Sequence, residues 1–137
     1  MNLRLFLDAN ILFTAAYRSD GLSALLFELR RRDLLQLTVS EQAIEEARIN
    51  LELKRPDVLG KFRGFIKLLE VIHTPAKCPL ALNLPEDDLA IFAAALAARA
   101  THLITGDKKH FGRYFDKPEQ TGGLIIQTVR QFFDERF

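Results

Sequence analysis

The sequence predicts an α/β protein, a three-layer α/β/α sandwich built on a central parallel sheet. Short apolar strand candidates alternate with segments of helical period along the whole chain, and a parallel sheet covered on both faces requires that alternation. Polar, turn-forming residues close the strand candidates, which is where such a sheet gathers its ligand-binding groups. The composition supports a core: 48% of the 137 residues are hydrophobic and 27% charged, with eleven Phe spread along the chain. Such a chain is not in the disordered class, and its length predicts one domain over residues 1–137.

Leu3, Leu5 and Leu7 with Phe6 read as a first, central strand that stops at the turn-forming Asp8-Ala9-Asn10. Leu22, Leu25, Leu26 and Leu29 recur at helical spacing after Ser19-Asp20-Gly21, and Arg30-Arg31-Arg32 complement the dipole at that helix's C-terminus. Residues 34–39 predict a second strand, after which Ser40 is an N-cap for a helix carrying Ala43, Ala47 and Leu51. A further helix is expected over about residues 56–70, a short strand over 71–73, and a Pro-punctuated loop over 74–85. Glu86-Asp87-Asp88 opens an Ala-rich helix running through Arg99. Residues 102–105 predict a strand with Gly106-Asp107 as its turn. A last strand over 124–126 precedes a helix with Val129, Phe132 and Phe133 on one face.

The formal charge of +1 creates no global field, so a polyanion would have to be held by local basic groups or metal ions. The single Cys78 excludes an intramolecular disulfide, and neither Cys nor His clusters at zinc spacing along the chain. A reducing, cytoplasmic setting is expected. The N-terminal apolar run is too short for a signal peptide, and no stretch approaches the roughly 18 apolar residues of a membrane span. A soluble protein follows.

The chemistry is carried by acids. Asp8 follows the first strand, Asp107 follows the strand ending at Thr105, and Asp88 lies in the first turn of the helix between them. Glu46 stands six positions beyond Ser40 and reaches toward the same sheet edge. Converging carboxylates raise one another's pKa, and a divalent cation reverses that penalty while gaining hard oxygen ligands. Oxygen donors favour Mg²⁺ or Mn²⁺, and the matching reaction is phosphodiester hydrolysis. Taken singly, each acid has an ordinary structural reading as a turn, cap or solvated helix charge. Glu45 competes with Glu46, and Asp87 with Asp88.

At these residues the sequence resembles the PIN-domain nucleases, in particular the prokaryotic group that includes VapC-type toxins. The motifs are Leu7-Asp8-Ala9-Asn10, then Ser40 through Glu46, then the Ala-rich run from Asp88 to Leu96, and finally Leu103-Ile104-Thr105-Gly106-Asp107-Lys108-Lys109-His110-Phe111. The resemblance implies that Asp8, Glu46, Asp88 and Asp107 surround Mg²⁺ or Mn²⁺, with Asn10 and Thr105 as polar supports orienting a carboxylate or a water. It also implies an RNA substrate, a homodimer and a neutralising antitoxin partner.

Lys108, Lys109 and His110 lie close enough to Asp107 to touch an adjacent phosphate, and Arg18 is a further candidate for contact with RNA. The Lys54, Arg55, Lys61, Arg63 and Lys67 series reads first as a solvent face. His73 and His102, in apolar strand contexts, are expected to be structural. Two other functions remain open at this point. One is a non-catalytic RNA-binding or assembly module on the same fold. The other is a haloacid-dehalogenase-like phosphatase, which needs a second Asp where this chain has Asn10.

Overall fold

The computed structural model describes residues 2–136. The first half of the chain runs β1 (Arg4–Leu7), α1 (Ala9–Tyr17), α2 (Leu22–Arg31), β2 (Gln36–Ser40), α3 (Glu41–Lys54), α4 (Leu59–Ile66) and β3 (Glu70–Ile72). The second half runs α5 (Glu86–Ala97), β4 (His102–Ile104), α6 (Lys108–Phe111), β5 (Ile125–Gln127) and α7 (Val129–Arg136). Among the described residues the strands form one parallel sheet in the order β3-β2-β1-β4-β5. The apolar run at the start of the chain is therefore the central strand, as predicted.

Side chains alternate across a strand, and this alternation builds two cores. Leu5, Leu7, Leu37, Val39 and Ile104 face the layer that contains α1 to α4 and α7. Phe6, Leu103 and Ile126 face α5 and the segment around Phe111 and Tyr114. Three layers result, with the sheet in the middle. Ser40 caps α3 as expected, its hydroxyl accepting the Ala43 amide at 3.1 Å. That cap fixes the rotation of α3: Ala43, Ala47 and Leu51 turn inward at helical spacing. Full burial of Leu51 alone stabilises the fold by about 2 kcal/mol. Among the described residues no helix is long and apolar enough to cross a membrane.

Several elements differ from the sequence reading. Asp8-Ala9-Asn10 is not a turn but the start of α1, with Asp8 as its N-cap. Asn10, Thr14 and Tyr17 lie on its exposed side, but Ile11, Leu12, Ala15 and Ala16 are all buried, so its polar stripe is narrow and gives little amphipathic signal. The predicted helix over 56–70 is interrupted. Pro56–Val58 form a single 3₁₀ turn, α4 ends at Ile66, and Glu70 already belongs to β3. His73 lies beyond that strand, exposed, with Nδ1 3.1 Å from Glu41, so it is not buried in a strand. Arg99, at φ 56°, follows α5 rather than ending it. Gly106-Asp107 leads into the short helix α6.

Candidate active site

The C-terminal ends of β1 and β4 lie side by side, with Leu7 opposite Ile104. Both strands therefore release their next residues at the same edge. Asp8 leaves β1 there, and its carboxylate is held from three directions. Oδ1 accepts the Ala9 amide at 2.8 Å. Oδ2 accepts the Thr105 hydroxyl at 2.7 Å and the Asn10 amide group at 3.4 Å. Thr105 also accepts the Asp107 amide at 3.1 Å, so one buried hydroxyl ties the two aspartates together.

Asn10 completes the tie. Its Oδ1 accepts the Gly106 amide at 3.0 Å, joining the start of α1 to the loop after β4. Gly106 eases that approach, since a Cβ at this position would stand 3.2 Å from the same Asn10 oxygen and push it back by a few tenths of an ångström. Asn10 and Thr105 thus both hydrogen-bond the Asp8 carboxylate.

Asp88 comes from the first turn of α5, its side chain 14% exposed. Asp107 caps α6, accepting the His110 amide at 3.0 Å. The His110 ring folds back over the same carboxylate, with Nδ1 2.7 Å from Asp107 Oδ2 and 3.2 Å from Asp88 Oδ2. Sequence reasoning placed His110 beside a phosphate or in a solvated turn and did not include it in the acid cluster, where the structure puts its ring. The turn of α6 carries the ring back by three residues, a proximity that linear spacing does not display.

Glu46 lies at the mouth of the cleft, on the side of α3 that faces Asp8 and Asp87. Its neighbour Glu45 points away and pairs with Arg48 on the surface. The helical phase set by the Ser40 cap therefore selects Glu46. Asp87 and Asp88 both line the cleft, but Asp88 is the one grouped with Asp107 and His110.

Burial is the largest influence on these acids. It raises the Asp8 carboxyl above the usual carboxylate range, with the Asp107 charge adding to it against the hydrogen bonds of Thr105, Ala9 and Asn10. Glu46 is raised by burial and then by the charges of Asp8 and Asp87. Asp88 is raised by burial and by Asp107, with His110 opposing. Asp107 goes the other way: burial pushes it up, but the amide, ring and electrostatic pull of His110 outweigh that and hold it low.

These groups line a cleft of about 410 Å³, together with Phe13, Gln42, Asn50 and Lys54, which sequence reasoning did not place there. The Lys54 ammonium stands 5.5 Å from the centre of the Phe13 ring, on the cleft wall. Clefts of about 550 and 570 Å³ lie elsewhere, one beside Leu34 and Gln36 and one between α2 and α4. Neither carries the acids. Lys108 and Lys109 are exposed in the first turn of α6. Arg18 is outside the cleft wall, exposed and 3.7 Å from Asp20.

The donor set fits a divalent cation. Ligand atoms of Asp88, Asp107 and His110 all lie within 4.8 Å of one another, and repulsion among acids is what a cation relieves.

The family model described as PIN domain matches residues 4–109. The fold is similar to one chain of the crystal structure of VapBC2 from Rickettsia felis bound to a DNA fragment from their promoter. The TM-score is 0.66 at 23% identity, over 92% of this chain and 98% of that one. No curated protein matches the chain significantly in sequence.

Proposed function

The chain belongs to the PIN domain family of nucleases, and from that premise we propose that it is a metal-dependent endoribonuclease and the toxin of a toxin–antitoxin pair. The observation that carries the proposal is the convergence of Asp8, Glu46, Asp88 and Asp107 on one cleft from four separate elements. Burial and mutual repulsion raise three of these acids, Asp8, Glu46 and Asp88. A fold does not keep such a cluster for stability.

In this reading residues 1–137 make one nuclease domain. Asp8, Glu46, Asp88 and Asp107 hold Mg²⁺ or Mn²⁺, while Asn10 and Thr105 keep Asp8 and Asp107 in register. A cation bound there polarises a phosphodiester and makes a nearby water a stronger nucleophile. Lys108 and Lys109, exposed beside Asp107, meet the phosphates of RNA on either side of the scissile bond. Specificity for RNA, a homodimeric state and a cytoplasmic location belong to the same proposal. The likeness to VapBC2 supports an antitoxin partner.

The test is cleavage of single-stranded RNA by the purified chain with Mg²⁺ or Mn²⁺, with chelator, and with Asp8→Asn, a phosphomonoester being assayed in parallel. RNA cleavage that chelator and Asp8→Asn both abolish is expected. Turnover of the monoester alone would overturn the reading. Light scattering reports the oligomeric state. Growth arrest on expression, relieved by a small DNA-binding protein encoded beside this one, tests the toxin role.

A further inference from the structure

We propose that His110 is itself a ligand of the cation, binding through Nδ1 beside Asp88 and Asp107, and that it turns the site's preference from Mg²⁺ toward Mn²⁺. The inference rests on the nuclease reading and goes beyond it, since oxygen ligands alone would suffice for either ion.

The geometry comes first. Cis ligands of an octahedral ion with bonds of about 2.1 Å lie about 3 Å apart. Nδ1 of His110 is 2.7 Å from one oxygen of Asp107 and 3.2 Å from one oxygen of Asp88, so Nδ1 stands at the spacing of a neighbouring ligand to each, and ligand atoms of all three residues lie within 4.8 Å of one another. The His110 amide donates to the other Asp107 oxygen, which fixes the base of the ring and aims Nδ1 at the acids. The side chain is 38% exposed, leaving an open side for water and substrate.

The other histidines make the contrast. His73 is on the surface against Glu41. His102 is buried against Thr101 and Phe132, away from the acids. Only His110, among the described residues, joins a group of acids spaced to hold an ion.

Chemistry then gives the preference. Mg²⁺ is hard and takes oxygen ligands almost exclusively, whereas affinity for imidazole nitrogen rises along the first transition row; Mn²⁺ stands at the weak end of that row but, as a softer ion, accepts a nitrogen ligand more readily than Mg²⁺ does. Coordination uses the neutral ring with its proton on Nε2.

The experiment uses the full chain loaded with Mn²⁺ and examined by electron spin-echo envelope modulation. A ¹⁴N coupling of directly bound imidazole is expected, converting to a ¹⁵N pattern in protein grown with ¹⁵N-histidine and vanishing in His110→Asn. Calorimetry of the same variant should show Mn²⁺ affinity falling about tenfold or more, on the scale of altered metal surroundings, with Mg²⁺ affinity little changed. Mn²⁺ bound without nitrogen coupling overturns the proposal, as does a coupling that persists in the variant or an equal loss for both ions. The labelled wild type decides the matter even where the variant does not fold. Chelator-sensitive RNA cleavage alongside a nitrogen-free Mn²⁺ signal would sink this inference alone. A chain that binds neither ion would sink the nuclease reading with it.

Discussion

Replacing Thr105 by Val removes a hydroxyl while keeping the shape of the side chain, at a position with no solvent exposure. The hydroxyl donates to Asp8 Oδ2 at 2.7 Å and accepts from the Asp107 amide at 3.1 Å. A hydrogen bond to a charged group contributes about 1.5–3 kcal/mol. The Asp107 amide, in a half-buried residue, can recover a water and adds little. A loss of about 2 kcal/mol at pH 7.5 is expected, which lowers Tm by about 7 °C in a chain of this size. Thr105→Ser keeps the hydroxyl and should lose under about 1 kcal/mol, the worth of one methyl. The penalty also depends on the charge of Asp8. Once acid protonates that carboxyl the bond is neutral, and the cost of Thr105→Val should shrink to roughly 1 kcal/mol. Urea titrations at pH 7.5 and in acid measure both values, and a double-mutant cycle with Asp8→Asn isolates the coupling. A Val variant within about 0.5 kcal/mol of wild type, the range of a featureless surface change, would refute the reasoning. So would a Ser variant as damaged as Val.

Asp8→Asn and Asp107→Asn should each abolish RNA cleavage in a protein that stays folded by circular dichroism; turnover within about tenfold of wild type, some 1.4 kcal/mol of barrier, removes that residue from the site. Asp88→Asn should damage cleavage more than Asp87→Asn, and the reverse order would shift the ligand by one residue. Lys108→Ala with Lys109→Ala should weaken RNA binding and reduce its salt slope by about 0.7 for each lost phosphate contact, so an unchanged slope leaves both lysines in solvent. Asp8, Glu46 and Asp88 have raised folded pKa values, so their contribution to metal-free stability is full below the unfolded values near about 4 and is lost as pH rises through the folded ones. Mn²⁺ at a hundredfold excess over Kd should restore about 2.7 kcal/mol at pH 7.5, and a melt unchanged between chelator and Mn²⁺ contradicts the site. His102 has the opposite sign: burial, then the Arg136 charge, push its ring down to about 4, so stability falls as pH drops from about 6.5 toward that value. His102→Phe, which keeps a ring against Phe132, should flatten this acid limb; an identical limb in the variant removes His102 as its source.

The sheet was readable because its strands are apolar runs ended by polar residues, a pattern that survives in one dimension. So were Asp8, Asp88 and Asp107, since the topology of a parallel sheet says where strand ends meet. What could not be read was local curvature. Asp8-Ala9-Asn10 has turn composition, and only the tertiary burial of Ile11, Leu12, Ala15 and Ala16 makes it a helix start. The same blindness hid α6, and with it the return of His110 onto Asp107. Glu46 was separable from Glu45 only through the phase of α3, which the Ser40 cap hinted at and the buried stripe of Ala43, Ala47 and Leu51 fixed.

The central position of β1 also bears on when the protein can act. On the ribosome β1 is made well before either strand that flanks it, and β4 comes only after β2 and β3: Leu5 pairs with His102 in β4 and with Leu37 in β2. Until β4 leaves the exit tunnel, Asp8 has no Thr105 to hold it and no Asp107 beside it. Closing so long a stretch of chain is also a slow step, because non-local pairing must overcome loop entropy before it is rewarded. The acids of the cleft therefore come together only after the 97 positions that separate Asp8 from Thr105 have been made.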